Sequence, residues 1–247
     1  MLKHLIITAA ILLSALSATA TDYQTLSLKA GRFFGYGEWA SAEAMYSLML
    51  DARPDVPDTY AHAIVAAGML SDTPRQMQLT DMALTAQVPI DSIFTNVERT
   101  SFSVGQTSLY CDYLLRCRQA MPWLQRSING YLLKYYTYRR DAKGMIQYSR
   151  IMLDGLPDNE AFLYTLAQGY LIDGDETQAI ATYMRILDIN PQAYRALLYL
   201  GNYYAPRASA DPTARNLAID YLRRAMDITP TPHVQEILHR LTHENQR

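Results

Sequence analysis

Residues 160–193, EAFLYTLAQGYLIDGDETQAIATYMRILDINPQA, form a 34-residue stretch that reads as one complete helix–turn–helix unit, and its neighbours repeat it. A chain with this period cannot build one central core. Each unit has only the next unit against which to bury its apolar face, so the chain must stack. Within the unit, Leu163, Leu166, Ala167 and Tyr170 share a face of the first helix, Ala179 and Tyr183 answer from the second, and Pro191 ends it. Ala167 and Ala179 stand where the two antiparallel helices cross. Only Gly, Ala or Ser lets backbones approach there, while larger residues fill the rest of the seam.

The same spacing continues in both directions. Downstream, Leu197, Leu200, Gly201 and Tyr204 are followed by Ala218, Leu222 and Pro230; the 39 residues from Pro191 to Pro230 imply about five inserted between the helices, around Pro206 to Thr213. Insertions in repeat arrays fall in loops, where binding often resides. Near the N-terminal end, Leu26, Ala30, Phe33, Gly37, Trp39, Ala42, Tyr46 and Pro54 reproduce the pattern. Between them, Pro54, Pro89, Pro122 and Pro157 keep the period at spacings of 35, 33 and 35. The unit from Arg126 keeps Leu132 and Tyr136 but has Leu133 and Met145 where small residues belong, which predicts helices set further apart or shifted. Glu98 and Tyr110 fall at the crossing places of the unit before it.

This pattern resembles the tetratricopeptide repeat (TPR) family. The resemblance implies an all-α fold, an α-solenoid of about six helix–turn–helix units at 23–56, 57–90, 91–125, 126–159, 160–193 and 194–232. A helix within 233–247 would cap the exposed apolar end. An irregular α-solenoid or helical bundle is the alternative.

Residues 1–20 have the form of an export signal: Lys3 and His4, an apolar run from Leu5 to Leu16, then Ala18-Thr19-Ala20. The run is too short to span a bilayer, and no later stretch is long and apolar enough, so a chain starting near Thr21 is expected in the bacterial periplasm. No Cys follows the cleavage site to accept a lipid; an uncleaved N-terminal anchor is the alternative. Cys111 and Cys117 sit six apart on a helical pattern, roughly 9 Å at 1.5 Å per residue, which is beyond disulfide reach. Two free, buried thiols are therefore expected despite an oxidising compartment.

In the TPR family the first helix of each unit lines a concave groove. Carried over by place in the unit, that face holds Arg99, then Tyr131, Lys134 and Tyr138, then Tyr164 and Gln168, then Arg195, Tyr199 and Asn202. Tyr131, Lys134 and Tyr138 share one helix face by spacing alone. Nineteen tyrosines suit peptide or sugar recognition, although most are expected in the core. Charge is uneven. Residues 99–150 carry 9 basic and 2 acidic side chains, between 22–98 with 4 and 10 and 151–193 with 1 and 7, so an acidic partner could be steered to the centre.

Near-neutral overall charge argues against nucleic acid. Some co-chaperones of the family clamp a terminal carboxylate with a Lys, Asn and Arg set, of which only Lys134, Arg195 and Asn202 match, with Tyr199 standing in a place the set requires; that clamp is not expected. The chain has no Gly-rich phosphate loop, nucleophile elbow or HExxH, so no catalytic residue and no cofactor is expected. Glu236, His239 and His243 share a face of the last helix, but exposed polar residues on a capping helix are far commoner than a zinc site, and no metal is expected. The expected role is a non-enzymatic protein- or peptide-binding module, an adaptor or assembly factor of the envelope. Glycan capture is the rival, since an aromatic groove also stacks on sugars.

Overall fold

The computed structural model describes residues 22–243. The export-signal segment 1–20 and the last four residues of the expected cap lie outside these. Helix α1 spans 22–35. It is followed by α2 (Trp39–Ala52), α3 (Pro57–Met69), α4 (Thr73–Thr85), α5 (Ile90–Ser103), α6 (Thr107–Ala120), α7 (Gln125–Arg139), α8 (Ala142–Gly155), α9 (Glu160–Asp173), α10 (Glu176–Ile189), α11 (Tyr194–Tyr204), α12 (Pro212–Ile228) and α13 (Pro232–His243). Short 3-10 turns occupy Pro122–Leu124 and Ala205–Arg207. No strand occurs among the described residues, and the helices fall into six successive pairs followed by α13. The all-α repeat class expected from the sequence is what the chain adopts.

Two local devices set the period. The second helix of several pairs begins at an Asp whose carboxylate accepts a hydrogen bond from the first turn: Asp72 from Arg75 N, Asp141 from Gly144 N, Asp175 from Gln178 N and Asp211 from Thr213 N. Each satisfies a backbone donor that the helix cannot satisfy itself. The turn before these helices needs one residue in the left-handed region. Gly37, Ser71, Gly105, Arg140 and Gly174 supply it in the first five pairs. Gly adopts that geometry freely, while Ser71 and Arg140 adopt it at a cost of about 1 kcal/mol.

The packing divides the chain into two compact units, of which residues 22–128 and 129–243 are described; the boundary falls inside α7. In the first unit, α3 packs against α2, α4 and α5. It is accordingly apolar nearly all round, with Tyr60, Ala61 and Ala63 to Ala67 buried. In the second unit α8 packs on α9, α9 on α10, α10 on α11 and α11 on α12. Helix α13 then lays Val234, Ile237 and Leu241 over Ala218 and Leu222, which covers the apolar end of the last pair.

Crossing residues on the second helices are all buried: Ala42, Gln76, Tyr110, Met145, Ala179 and Ala218 are each at most 2 % exposed. Three of these are not small, and the fold compensates. Between α7 and α8 the close approach moves one residue, to Gly144, which lies directly against Tyr136; that ring stacks on Tyr148 at 5.4 Å. The helices are thus shifted rather than spread. Trp123, on the 3-10 turn, is 72 % exposed. One smaller expectation needs correction. In α1 the buried ring is Phe34 rather than Phe33, held edge-on by Trp39, Tyr46 and His62.

Cys111 and Cys117 are free and buried, as the spacing predicts. Burial pushes the Cys117 thiol up to about 12, from an ordinary value of 9.0. Above pH 9 an unfolded chain therefore releases a proton that the native chain keeps. Between pH 9 and 10, stability should fall by about 1 kcal/mol as the unfolded thiol ionises, with no such loss below pH 8. Urea midpoints across this range check it; a slope unchanged in Cys117→Ala would show that the thiol is not its source.

Candidate functional site

The second unit carries a continuous row of four cavities along its first helices. The first, about 350 Å³, is lined by Thr137 of α7, Arg140, Met145 and the α9 residues Gln168, Leu171 and Ile172. Gln168 also lines the second, about 430 Å³, with Glu160, Ala161, Tyr164, Thr165 and Arg195. Arg195 passes into the third, about 570 Å³, with Glu176, Tyr183, Leu198, Tyr199, Asn202, Tyr203 and Arg207. Asn202 opens the fourth, about 390 Å³, completed by Ala205, Pro206, Ala208, Ser209, Ile237, Arg240 and Leu241. Shared residues make the four one surface.

Its geometry follows from helix spacing. Residues 161, 164, 165, 168, 171 and 172 recur at the three- and four-residue steps that keep one face of α9 in view, and 195, 198, 199 and 202 do the same on α11. Tyr164, Tyr183 and Tyr199 form an aromatic ladder beneath, with Tyr183 and Tyr199 stacked at 4.1 Å and Tyr164 edge-on to Tyr183 at 6.1 Å. Burial raises all three phenols above their ordinary range, so they stay uncharged at any physiological pH. The Arg195 guanidinium lies over the Tyr164 ring, 4.5 Å from its centre.

The inserted segment after α11 contributes to the site directly. Arg207 sits over the Tyr203 ring at 3.7 Å, donates to the Tyr203 carbonyl at 2.6 Å, and reaches Glu176 at the start of α10 at 3.4 Å. Glu160 is likewise engaged, accepting from Asn190 Nδ2 at 3.1 Å. Arg140, Arg195 and Arg240 have no ion-pair partner among the described residues.

Five of the nine residues singled out in the sequence come together here: Tyr164, Gln168, Arg195, Tyr199 and Asn202. Tyr131, Lys134 and Tyr138 lie on α7 and line none of the four cavities; α7 contributes Thr137 instead. Arg99 belongs to the first unit, where its guanidinium pairs with Asp58 at 2.5 Å. The sequence reading missed Arg207, Tyr203 and Arg240. The insertion pointed to Arg207, but nothing in the period marked Tyr203 or Arg240.

A fifth cavity, about 630 Å³, opens among the second helices α8 and α10. Its arginines hold the repeat together: Arg185 donates to the Pro157 carbonyl at 2.6 Å and Arg150 to the Tyr170 hydroxyl at 2.6 Å. One unit later Arg224 repeats the first bond, to the Pro191 carbonyl at 3.0 Å. On α13, His239 and His243 stack at 4.1 Å, with His243 Nδ1 2.8 Å from the His239 carbonyl. No group of three His, Cys, Asp or Glu side chains able to hold a metal occurs among the described residues.

The chain is an all-α helical-repeat protein built of successive helix pairs. No family model matches its sequence, and no curated protein matches it. Among solved structures it is similar to the C-terminal part of a TPR repeat-containing protein from Cytophaga hutchinsonii, at 16% identity over 81% of this chain and 77% of that one, with a TM-score of 0.47. It is also similar to a TPR repeats protein from Bacteroides fragilis, at 14% identity over 90% and 98%, with a TM-score of 0.38. A tetratricopeptide repeat protein from Parabacteroides merdae matches at 13% identity over 90% and 99%, with a TM-score of 0.36. None of the three bears on what this chain binds.

Proposed function

We propose that the protein is a non-enzymatic interaction module that holds an extended segment of a partner protein along the α7–α13 face of its second unit. In this reading it serves as an adaptor or assembly factor of a bacterial envelope, exported by the segment at residues 1–20. The observation that carries the reading is the chain of cavities joined through Gln168, Arg195 and Asn202. A row of shallow sites on rigid helices suits an extended chain, because each contributes a few contacts and affinity accumulates along the array. The export pattern of residues 1–20 supports a place outside the cytoplasm. No described helix is long and apolar enough to cross a membrane.

Affinity capture from envelope extract tests this, with the purified chain beside a Tyr199→Ala/Asn202→Ala variant and the bound material identified by mass spectrometry. A protein retained by the wild type and reduced at least tenfold on the variant is the expected result. Equal capture by both would remove this face from consideration. Glycan-array binding lost in the same variant, without protein capture, would favour sugar recognition instead.

A further inference from the structure

The charges along the row are not balanced. Residues 151–193 carry seven acidic side chains and one basic one. Of those seven only Glu160 and Glu176 line the four cavities, and both already have partners, Asn190 and Arg207. Three arginines on the same surface, Arg140, Arg195 and Arg240, are exposed and have no carboxylate partner among the described residues. They mark its two ends and its middle. The face is therefore basic: Arg140, Arg195, Arg207 and Arg240 line it, against only Glu160 and Glu176, which are already engaged.

Arg195 is the best prepared of the three. Its guanidinium lies over the Tyr164 ring, 4.5 Å from its centre, and among the described residues no hydrogen bond uses its five N–H donors. A planar guanidinium held on a ring has already given up much of its rotamer freedom, so less is lost when a carboxylate forks onto it. Immediately beside it, Tyr199 presents a half-buried ring already stacked on Tyr183, and Asn202 offers an amide that can meet a peptide group. An anion seat adjoining a flat apolar platform is a composite site.

We infer that the row takes an acidic extended peptide, one carboxylate side chain seated on Arg195 and an aromatic side chain beside it on Tyr199. Arg140 and Arg240 favour further acidic residues toward the two ends. This rests on the reading of the row as a peptide site and names what that site selects. Charge complementarity on an exposed surface also makes the interaction sensitive to salt.

The test is selection of a random dodecapeptide library displayed on phage against the purified chain, followed by titration of the enriched peptides, made synthetically. Enriched sequences are expected to carry Asp or Glu within two residues of Phe, Tyr or Trp. Their affinity should fall at least tenfold on Arg195→Glu, several-fold on Arg195→Lys, and at least tenfold when the peptide acid is changed to its amide. Arg53→Glu, an exposed change in the first unit, should leave affinity as in the wild type. Amidating the peptide C-terminus should change little, since a side-chain carboxylate is the ligand; a large loss there would make a chain terminus the occupant and overturn the assignment. Enriched peptides without acids, or affinity unchanged in Arg195→Glu, would overturn the inference while leaving a peptide site in place. No enrichment by the wild type would overturn both.

Discussion

Gly144→Ala should destabilise the protein by about 3 kcal/mol, although it adds one methyl group and raises intrinsic helix propensity. A Cβ at 144 would fall on the Cγ and Cδ1 of Tyr136, at the root of the ring rather than at the flexible end of a side chain. Tyr136 has no room to retreat, stacked on Tyr148 on one side and against Tyr135 at 5.3 Å on another. To make space α8 must move off α7, and the cap between Asp141 and Gly144 N, at 2.9 Å, would be disturbed with it. Gly130→Ala on α7 is the control. Nothing lies within 4 Å of a Cβ there, so the same change should stabilise by about 0.5 to 1 kcal/mol. Urea unfolding of both variants checks the contrast, and losses of equal size would show that the α7–α8 approach is not tight.

That pair shows where the sequence was legible and where it was not. The period itself is written in residues whose role is local, such as Gly37 and Gly174 in the left-handed turn and Ala42, Ala179 and Ala218 at the crossings. Where those residues are replaced, the backbone keeps the geometry and the compensation lies elsewhere. Ser71 and Arg140 take the left-handed turn. Gln76 takes a crossing place because Gly68 across from it leaves room: a Cβ there would stand 2.5 Å from Gln76 Nε2. A reader of single positions sees a worn motif, while the pair conserves volume.

The candidate site divides in the same way. Helical spacing was enough to put Tyr164, Gln168, Arg195, Tyr199 and Asn202 on one face. Which charges are already spent was not legible, because the pairs that spend them are distant in sequence: Arg99 with Asp58, 41 residues away, and Arg207 with Glu176, 31 residues away. The sequence pointed to the basic stretch 99–150 as the place for an acidic partner. Pairing removes Arg99 from that set, and Arg116 is turned inward onto Gln76.

Gln76→Leu should cost the first unit about 2 to 3 kcal/mol, even though the new side chain is apolar and of similar size. Gln76 is fully buried; its Nε2 donates to the Ile64 carbonyl at 3.0 Å and its Oε1 accepts from Arg116 Nη1 at 2.7 Å. The substitution leaves a half-buried guanidinium without the acceptor it was aimed at, and an unsatisfied charged donor is dearer than a lost neutral bond. The neighbouring bond from Thr80 Oγ1 to the Gln76 carbonyl, 2.9 Å, involves only backbone at 76 and should survive. Removing both partners removes the mismatch, so Gln76→Leu/Arg116→Met should be more stable than Gln76→Leu alone. Two independent effects would instead add. Unfolding free energies for the four proteins of this cycle decide between them. Additivity would mean that Gln76 acts at the crossing by volume alone, and that its buried amide is tolerated rather than used.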